Sequence, residues 1–437
     1  MRRVLVGAGL PLMLVAACQS DAGTDANTSD TVPATELGAD LDVSTVGATT
    51  ELAWSATTFA GMTAVVGDVV VYYSLDENQE TVLSGAAADT GELLWQLGQG
   101  DDGIEGTSLD RWLPPKPEKV EAVEVDGVPA VLARALDGDV SDASSECGDA
   151  TAQHAVVAIE AATGEILWSS HPAPPGPENN CLSLFEFDMV TTEDIAVVNG
   201  SGNGLGSPLA SVALDLDSGE VLWQRDGVEM TRSTRNAIIG VRNITDEARC
   251  GFDYEFLYTG FDTDNGEPLW ELDPCEDPTV LGLLAEQVLF EVGEGDTAEL
   301  RALDAFTGEV LASHTGGTLP EYCPTDGARL IVCPVPAESA EDGESALLLY
   351  DAETASFTVL DLESASDAGF PYLIWQDQIA FYSNDANTTR LFDIATSSET
   401  AAFPGWWSGA AGSFRLSTPP AYLAEVESEL EVYTVTG

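Results

Sequence analysis

Short runs of apolar and β-branched residues, cut at intervals by turn residues, set the pattern of this chain. Thr63–Val66 is followed by a Gly67-Asp68 turn, Val69–Ser74, Thr81–Ala86 and Glu92–Gln96. Further on, Thr279–Leu284, an Ala285-Glu286 turn, Gln287–Val292, Ala298–Leu303 and Glu309–Ser313 repeat the arrangement. Runs of this length, rich in Val, Ile, Leu and Thr and bounded by Gly, Asp and Glu, predict strands rather than helices. Four such strands make a unit, here called A to D in chain order. The chain is therefore expected to be all-β.

The units are marked by a sequence repeat. Thr90-Gly91-Glu92-Leu93-Leu94-Trp95 returns as T-G-E-I-L-W ending at Trp168, S-G-E-V-L-W at Trp223, N-G-E-P-L-W at Trp270 and T-G-E-V-L-A at Ala312. Degraded copies place Ala355 and Ser397 at the glycine position, and Gly437 ends the chain. The glycine positions lie 40 to 73 residues apart, the length of four-stranded propeller blades with loop insertions. Eight marks imply eight blades. The repeat falls between strands C and D, where an Asp such as Asp215, Asp262, Asp304, Asp351 or Asp393 can accept backbone N–H groups and the glycine takes a positive φ. Pro268 inside a D strand fits an outer edge, where a missing donor is tolerated. Trp54, Trp95, Trp168, Trp223 and Trp270 end D strands and are expected to dock each blade on the next. Thr436-Gly437 has no E-x-x-W after it, and Glu51-Leu52-Ala53-Trp54 has no T-G before it. Joined, they make one more copy. An eight-bladed β-propeller is expected, with Glu51–Ser55 as the outer strand of the C-terminal blade and Ala421–Val426 and Leu430–Val435 as its middle strands.

Composition changes the picture in one respect. Apolar residues at 44% supply a core for one large domain, whereas 75 Asp+Glu against 15 Lys+Arg give a formal net charge of −60. Such a surface repels nucleic acid, anionic lipid and polyanionic substrates at long range. It attracts cations or a basic partner on one reading; on the other it only keeps the protein soluble in salt or in a crowded envelope.

The N-terminus reads as processing rather than fold. Arg2-Arg3 precede an apolar stretch, Val4–Val15, too short to span a bilayer as a helix. Val15-Ala16-Ala17-Cys18 resembles a bacterial lipobox, which implies a signal peptide over residues 1–17 and a diacylglyceryl anchor on Cys18. Gln19–Ala48 has no aromatic residue and is rich in Asp, Thr, Ser, Ala and Gly, so residues 18–48 are expected to be a flexible tether. The propeller would occupy 49–437.

The repeat, an A-x-D-x-x-T-G-x-x-x-W pattern, resembles the docking repeat of the pyrroloquinoline-quinone (PQQ)-type eight-bladed propellers over roughly residues 49–437. The family includes quinoprotein alcohol dehydrogenases, extracytoplasmic sensor domains and the non-enzymatic lipoprotein of the outer-membrane β-barrel assembly machinery. A quinone enzyme of this kind needs a vicinal Cys-Cys disulfide, a carboxylate–Asn calcium site, a catalytic Asp and cations for the quinone carboxylates. No two cysteines here are adjacent, and cations are scarce. The resemblance therefore implies the non-enzymatic branch, with no catalytic residue and no cofactor. Calcium ligands are offered by Asp137-Gly138-Asp139 with Ser141 and Asp142, and by Asp262-Thr263-Asp264-Asn265, but neither completes a calcium loop and no metal site is assigned.

In a four-stranded blade the A–B and C–D turns share one face of the disc, and the B–C loops and D-to-A links share the other. The long stretches Gly98–Lys119, Leu136–Gln153, Ser169–Ser183, Ser201–Pro208 and Pro334–Glu344 all fall on the second face, which marks it as the binding face. The six cysteines beyond Cys18 are placed there too. Export favours disulfides, and sequential pairing, Cys147–Cys181, Cys250–Cys275 and Cys323–Cys333, would tie each B–C loop to a neighbouring link. Metal binding by these cysteines is the rival, without a C-x-x-C and with only three histidines to help. A Pro-stiffened loop presents Arg111 and Trp112 with Lys116 and Lys119, the only lysines of the chain. It reads as a contact hot spot, or as a Trp folded back over blade 2 with cations paired to local Glu. Arg232 and Arg235 lie at the inner strands of blade 4 and either face the funnel as an anion site or pair with carboxylates.

The function expected is that of a lipid-anchored, extracytoplasmic, monomeric propeller. It would bind an envelope or extracellular protein without catalysis and touch the membrane only through its anchor, with no nucleic-acid partner. The alternative is a PQQ- and calcium-dependent dehydrogenase or a small-ligand binder using the central funnel.

Overall fold

The structure is a computed structural model. It describes residues 49–58, 63–75, 81–100, 103–104, 111–112, 120–137, 153–172, 182–202, 210–244, 256–293, 298–315, 323–336, 345–360, 369–375, 377–383, 388–404, 407–411, 414–417 and 428–436. The signal and tether segments, residues 1–48, lie outside them.

The strands form successive antiparallel sheets in chain order, one per blade. Blade 1 is Thr63–Val66, Val69–Leu75, Thr81–Ala87 and Leu93–Leu97; blade 2 is Glu121–Val125, Val128–Asp137, Gln153–Glu160 and Ile166–Ser170. Blade 3 is Leu182–Thr191, Ile195–Gly202, Ala210–Asp215 and Val221–Asp226; blade 4 is Glu229–Ser233, Ala237–Asn243, Phe256–Asp262 and Pro268–Glu271. Blade 5 is Thr279–Leu283, Gln287–Val292, Glu299–Asp304 and Val310–Thr315. Blade 6 has three strands, Leu330–Pro336, Ser345–Asp351 and Ser356–Leu360, and blade 7 is Phe370–Trp375, Gln378–Ser383, Thr388–Asp393 and Ser398–Pro404. Blade 8 takes Trp407–Ala411, Phe414–Ser417 and Ser428–Thr436 from the C-terminus and Thr49–Thr58 from the N-terminus.

The N-terminal strand pairs with Ser428–Thr436 over its whole length, from Thr49 opposite Thr436 to Thr58 opposite Ser428. The outer strand of blade 8 thus comes from the far end of the chain. It carries a register shift between Leu52 and Trp54. The D strands of blades 1 to 5 bulge at the same point, as between Gly85 and Ala86 opposite Trp95 and Leu93, or Ala213 and Leu214 opposite Trp223 and Val221. A bulge in each outer strand twists an edge that would otherwise invite further strand pairing. One expectation is corrected here. The strand beside Ser428–Thr436 on its inner side is Phe414–Ser417, in the place assigned to Ala421–Val426, a segment outside the described residues. Among the described residues blade 6 has no A strand, only the isolated bridge Thr325–Ile331.

The core is a chain of seams. One buried cluster joins blades 1 and 2 through Val71, Leu83, Val131 and Ile159, and others join blades 2 and 3, 3 and 4, 4 and 5, 5 and 6, and 6 and 7. The Trp residues organise the seams. Trp95 Nε1 donates to the Ala161 carbonyl at 2.7 Å, Trp168 Nε1 to Leu216 at 2.7 Å, Trp223 Nε1 to Thr263 at 2.8 Å and Trp270 Nε1 to Ala305 at 2.8 Å. Each acceptor follows the last residue of strand C in the next blade. Each ring covers that blade's turn glycine: a Cβ on Gly219 would stand 2.6 Å from Trp168. Gly219 also has φ 71°, as the turn requires, and Ala355 and Ser397 hold the same position in the degraded copies with φ 46° and 54°. Trp54 is in register for this role, and its side chain lies outside the described residues.

The turn face is pinned. The backbone N–H groups of Ala88, Ala161, Leu216, Ala305, Ala352 and Ile394 each donate to a carbonyl at or just before the start of strand B in their own blade, at 2.8 to 3.0 Å. A–B and C–D turns therefore share one face, which leaves the B–C loops and links on the other.

Candidate functional site: the looped face and the channel edge

The link after blade 1 does not stay at the rim. A two-residue hairpin, Gln99–Gly100 with Gly103–Ile104, is followed by Arg111–Trp112, which pairs with strand B of blade 2. Trp112 lies opposite Ala135 and Arg111 opposite Leu136. The other edge of the same residues is held by strand C, with Ala135 opposite Ala155 and Leu136 opposite His154. Strand A covers only Val128–Leu132 of strand B. Arg111–Trp112 thus prolongs strand A toward the looped face, on the inner edge of the blade. Lys116 and Lys119 lie outside the described residues.

The two arginines of blade 4 part company. Arg235 sits in the A–B turn, on the pinned face, where its Nε donates to Glu193 Oε1 at 2.9 Å and its backbone N–H to Ala285 at 2.7 Å. It is a joint between blades 3, 4 and 5, and of the two readings open for it, pairing with a carboxylate is the one the structure shows, because the guanidinium is spent on a neighbouring turn. Arg232 lies in strand A and is exposed, with a single long hydrogen bond to the Thr231 carbonyl at 3.4 Å. Arg225 is also structural. It reaches the Gly266 and Asn265 carbonyls and Glu267 across the seam beside Trp223.

The cysteines are partly described. Cys323 and Cys333 are bonded, with Cα atoms 4.5 Å apart. Both are buried in the apolar cluster between blades 5 and 6, beside Leu281, Leu289 and Tyr350. This corrects the expected place of Cys333, which lies inside strand B, whereas Cys323 lies in the link before it, as expected. Cys275 is disulfide-bonded, and Cys147, Cys181 and Cys250 lie outside the described residues. No group of His, Cys, Asp and Glu suited to a metal ion occurs among the described residues. The turn at Asp262–Asn265 uses its oxygens internally: Asp262 Oδ1 accepts from Asp264 N–H, and Asn265 Oδ1 from Glu267 N–H.

Two features escaped the sequence reading. Asn199 and Ser211 form a buried network at the seam of blades 3 and 4, in which Asn199 Nδ2 donates to Met230 O at 2.6 Å and Oδ1 accepts from Met230 N–H at 2.9 Å. A lone Asn in a Val-rich strand was the available signal. Tyr258 is the other. Burial raises its pKa, the Arg232 charge opposes that, and Asp277 and Glu229 add to it. Burial and three charged groups thus act on one phenol, which no spacing in the chain reveals.

The family comparison bears on the first half of the chain. The family model described as outer membrane protein assembly factor BamB matches residues 39–250. Over those residues the chain is similar to the PQQ-type propellers. Solved structures similar to this chain include quinohemoprotein alcohol dehydrogenase from Pseudomonas putida, at 11% identity and TM-score 0.49 over 88% of this chain and 76% of that one. BamB from Moraxella catarrhalis is similar at 12% identity and TM-score 0.45, over 88% of this chain and 100% of that one. A europium-containing methanol dehydrogenase is similar at 12% identity and TM-score 0.45, over 88% and 93%. A comparison with curated proteins finds no match. No helix of the described residues is long and apolar enough to cross a membrane.

Proposed function

We propose that this propeller is a non-catalytic protein-binding scaffold of the cell envelope, exported and held by a lipid on Cys18, with its partner docking on the looped face. The observation that carries the reading is the return of Arg111–Trp112 from the blade 1 link to the inner edge of blade 2. Backbone pairing at that edge places an Arg and a Trp side by side on blade 2, and these are two of the residue types that dominate contact hot spots. The pinned turn face gives the contrast: its side chains and N–H groups serve the joints. The family match to an assembly factor supports a protein partner over a small substrate. A protein with a formal charge of −60 suits a partner with a basic face, which long-range attraction would speed to its site.

The test is cross-linking of the full-length, membrane-bound protein, compared with an R111A/W112A double variant and with Glu309→Gln on the opposite face. Loss of the cross-linked species in the double variant alone is expected. An unchanged cross-linking pattern in the double variant, at wild-type melting temperature, would sink the looped-face reading. Radiolabelled fatty acid incorporated into wild type and absent from Cys18→Ala checks the anchor. Dye reduction by the purified protein with added quinone and Ca²⁺ would overturn the non-catalytic assignment.

A further inference from the structure

The seam between blades 4 and 5 holds a cation that the rest of the molecule would lead one to expect paired. Arg225, Arg235, Arg301, Arg329 and Arg390 each keep a carboxylate oxygen within 4.0 Å. Arg232 keeps none among the described residues, although the chain has 75 Asp and Glu to offer. The register shows what lies beside it. Arg232 is opposite Ile239, which is opposite Gly260, and Glu229 is opposite Val241, which is opposite Tyr258. Directly opposed residues of an antiparallel sheet share a face, and residues two apart on one strand do too. Arg232, Ile239 and Tyr258 therefore project from the same side of blade 4. That side faces blade 5: Ile239 packs with Val288 and Phe290, and the Tyr258 ring meets the Phe290 ring edge-on at 5.6 Å. Trp270 closes the seam at its outer end, and Arg232 stands at its inner end, exposed. The Tyr258 hydroxyl makes no hydrogen bond to any described residue, although the ring is half-buried.

We propose that Arg232 and Tyr258 form a carboxylate-binding subsite at the inner edge of the seam between blades 4 and 5. A guanidinium presents a fork of N–H donors, and a phenol adds an O–H donor. A carboxylate accepts from both in charge-assisted hydrogen bonds, and neither group makes one to a carboxylate among the described residues. Asp277, at the head of blade 5, and Glu229 act on the same phenol, so the subsite admits one carboxylate and rejects further negative charge. The net charge of the chain selects against polyanions in the same direction. The carboxylate comes from a free small acid or from the C-terminus of a peptide, and the chemistry at Arg232 is the same for both.

The experiment is calorimetric titration of the full-length protein with acetate, with N-acetyl-trialanine and with its C-terminal amide, each variant's melting being recorded alongside. Saturable binding of acetate or of the peptide acid, with none of the amide, is expected. Arg232→Gln should weaken it at least tenfold and Tyr258→Phe about fivefold, whereas Arg235→Gln, which removes the guanidinium already committed to Glu193, should leave it unchanged. Binding of acetate assigns the site to free acids; binding of the peptide acid alone assigns it to peptide termini. Absence of saturable binding by both, equal binding of the amide, or wild-type affinity in a folded Arg232→Gln variant would each overturn the proposal. The looped-face reading stands or falls separately, on Arg111 and Trp112.

Discussion

Blades 1 to 4 and blades 5 to 6 solve one problem in two ways. In the first region each blade sends a Trp across to the next, fills the space over a glycine turn and donates one N–H to the carbonyl that follows strand C. At blade 5 the Trp position is Ala312. The equivalent acceptor in blade 6 is Ala352 O, and it is reached from strand B by Gln287 Nε2 at 3.4 Å. Tyr350 of blade 6 returns a hydrogen bond to Gln287 Oε1 at 2.6 Å, and its ring packs against Phe357, which in turn meets His314 of blade 5. A buried disulfide and an Arg329–Asp351 ion pair complete the substitute. The joint is therefore a set of requirements: a filled seam and a satisfied carbonyl. The Trp is one way of meeting them, and a polar network with a covalent staple is another.

The largest expected effects break the Trp joint. Trp168 is buried against blades 2 and 3, so Trp168→Ala should cost about 3–5 kcal/mol in denaturant unfolding. Gly219→Ala tests the same contact from the other side. Its Cβ would stand 2.6 Å from the Trp168 ring at a φ of 71°, and it should be destabilising by about 2 kcal/mol. The degraded joint should answer with the opposite sign. Ala355 occupies the same turn position at φ 46°, so Ala355→Gly should be stabilising by about 1 kcal/mol. A destabilising Ala355→Gly would show that the turn strain is offset elsewhere and that the two turns are not equivalent.

Next in size is the staple of blade 6. Cys323 and Cys333 are 10 residues apart, and a loop of that length is worth about 2.5 kcal/mol on the chain-entropy account. The double variant Cys323→Ala/Cys333→Ala should lose that amount. Hydrogen exchange should open first at Leu330–Pro336, the strand that lacks a full partner on its inner side among the described residues. Uniform loss of protection across blades 1 to 4 instead would mean that the molecule unfolds as one unit and that the two regions are not separable.

How much of this was legible in the sequence follows from the same comparison. The Trp region could be read directly, because identical requirements at successive seams leave identical residues at a fixed offset from a glycine turn. The turn positions at Ala355 and Ser397 were also readable, since the Asp that opens each turn persists: Asp351 Oδ1 accepts from Glu353 N–H and Asp393 Oδ1 from Thr396 N–H. What replaced the Trp could not be read, for Gln287 and Tyr350 stand 63 residues apart and meet only after two blades have packed. That blade 6 has no A strand among the described residues could not be read either, for a related reason. Cys323, Pro324 and Thr325 occupy its place, and Val332 N–H donates to Pro324 O at 2.9 Å, so the stretch keeps strand-like partners without a strand-like sequence. The site residues divide likewise. Arg232 and Arg235 look alike in the chain, and only the turn geometry assigns one to Glu193 and leaves the other at the seam.

A smaller effect sharpens the role of Tyr350. Tyr350→Phe removes its hydrogen bond to Gln287 and should cost about 1 kcal/mol near neutral pH. Burial, with Asp351 adding to it, pushes the Tyr350 hydroxyl up from 10.0 to about 12. A folded pKa raised above the unfolded one gives stability that is fully present below pH 10 and is lost as pH rises through about 12. The wild type's advantage over Tyr350→Phe should therefore shrink across that window. A difference that stays constant would place the phenol in water in the folded state.

The smallest effect concerns the turns of blade 6. Here the backbone tie that recurs in six blades, Ala352 N–H to Arg329 O at 2.9 Å, is doubled by a two-pronged ion pair, Arg329 Nε to Asp351 Oδ1 at 3.1 Å and Nη2 to Oδ2 at 2.7 Å. The blade with no A strand among the described residues has the extra clamp between the turn that enters strand B and its C–D turn. The Arg329 hydrogen bonds hold the Asp351 carboxyl below its usual range, against the opposing pull of desolvation. A depressed folded pKa gives stability that is present above the unfolded value and is lost as pH falls through the folded one, so the contribution should fade below about pH 4. Arg329 is nearly half exposed, which limits Arg329→Gln to about 0.5 kcal/mol at neutral pH. The variant and the wild type should converge in acid, measured by denaturant midpoints from pH 7 down to the edge of acid unfolding. If they run parallel instead, the clamp acts through the shape of the arginine and not through its charge, and the two regions of the propeller differ in packing alone.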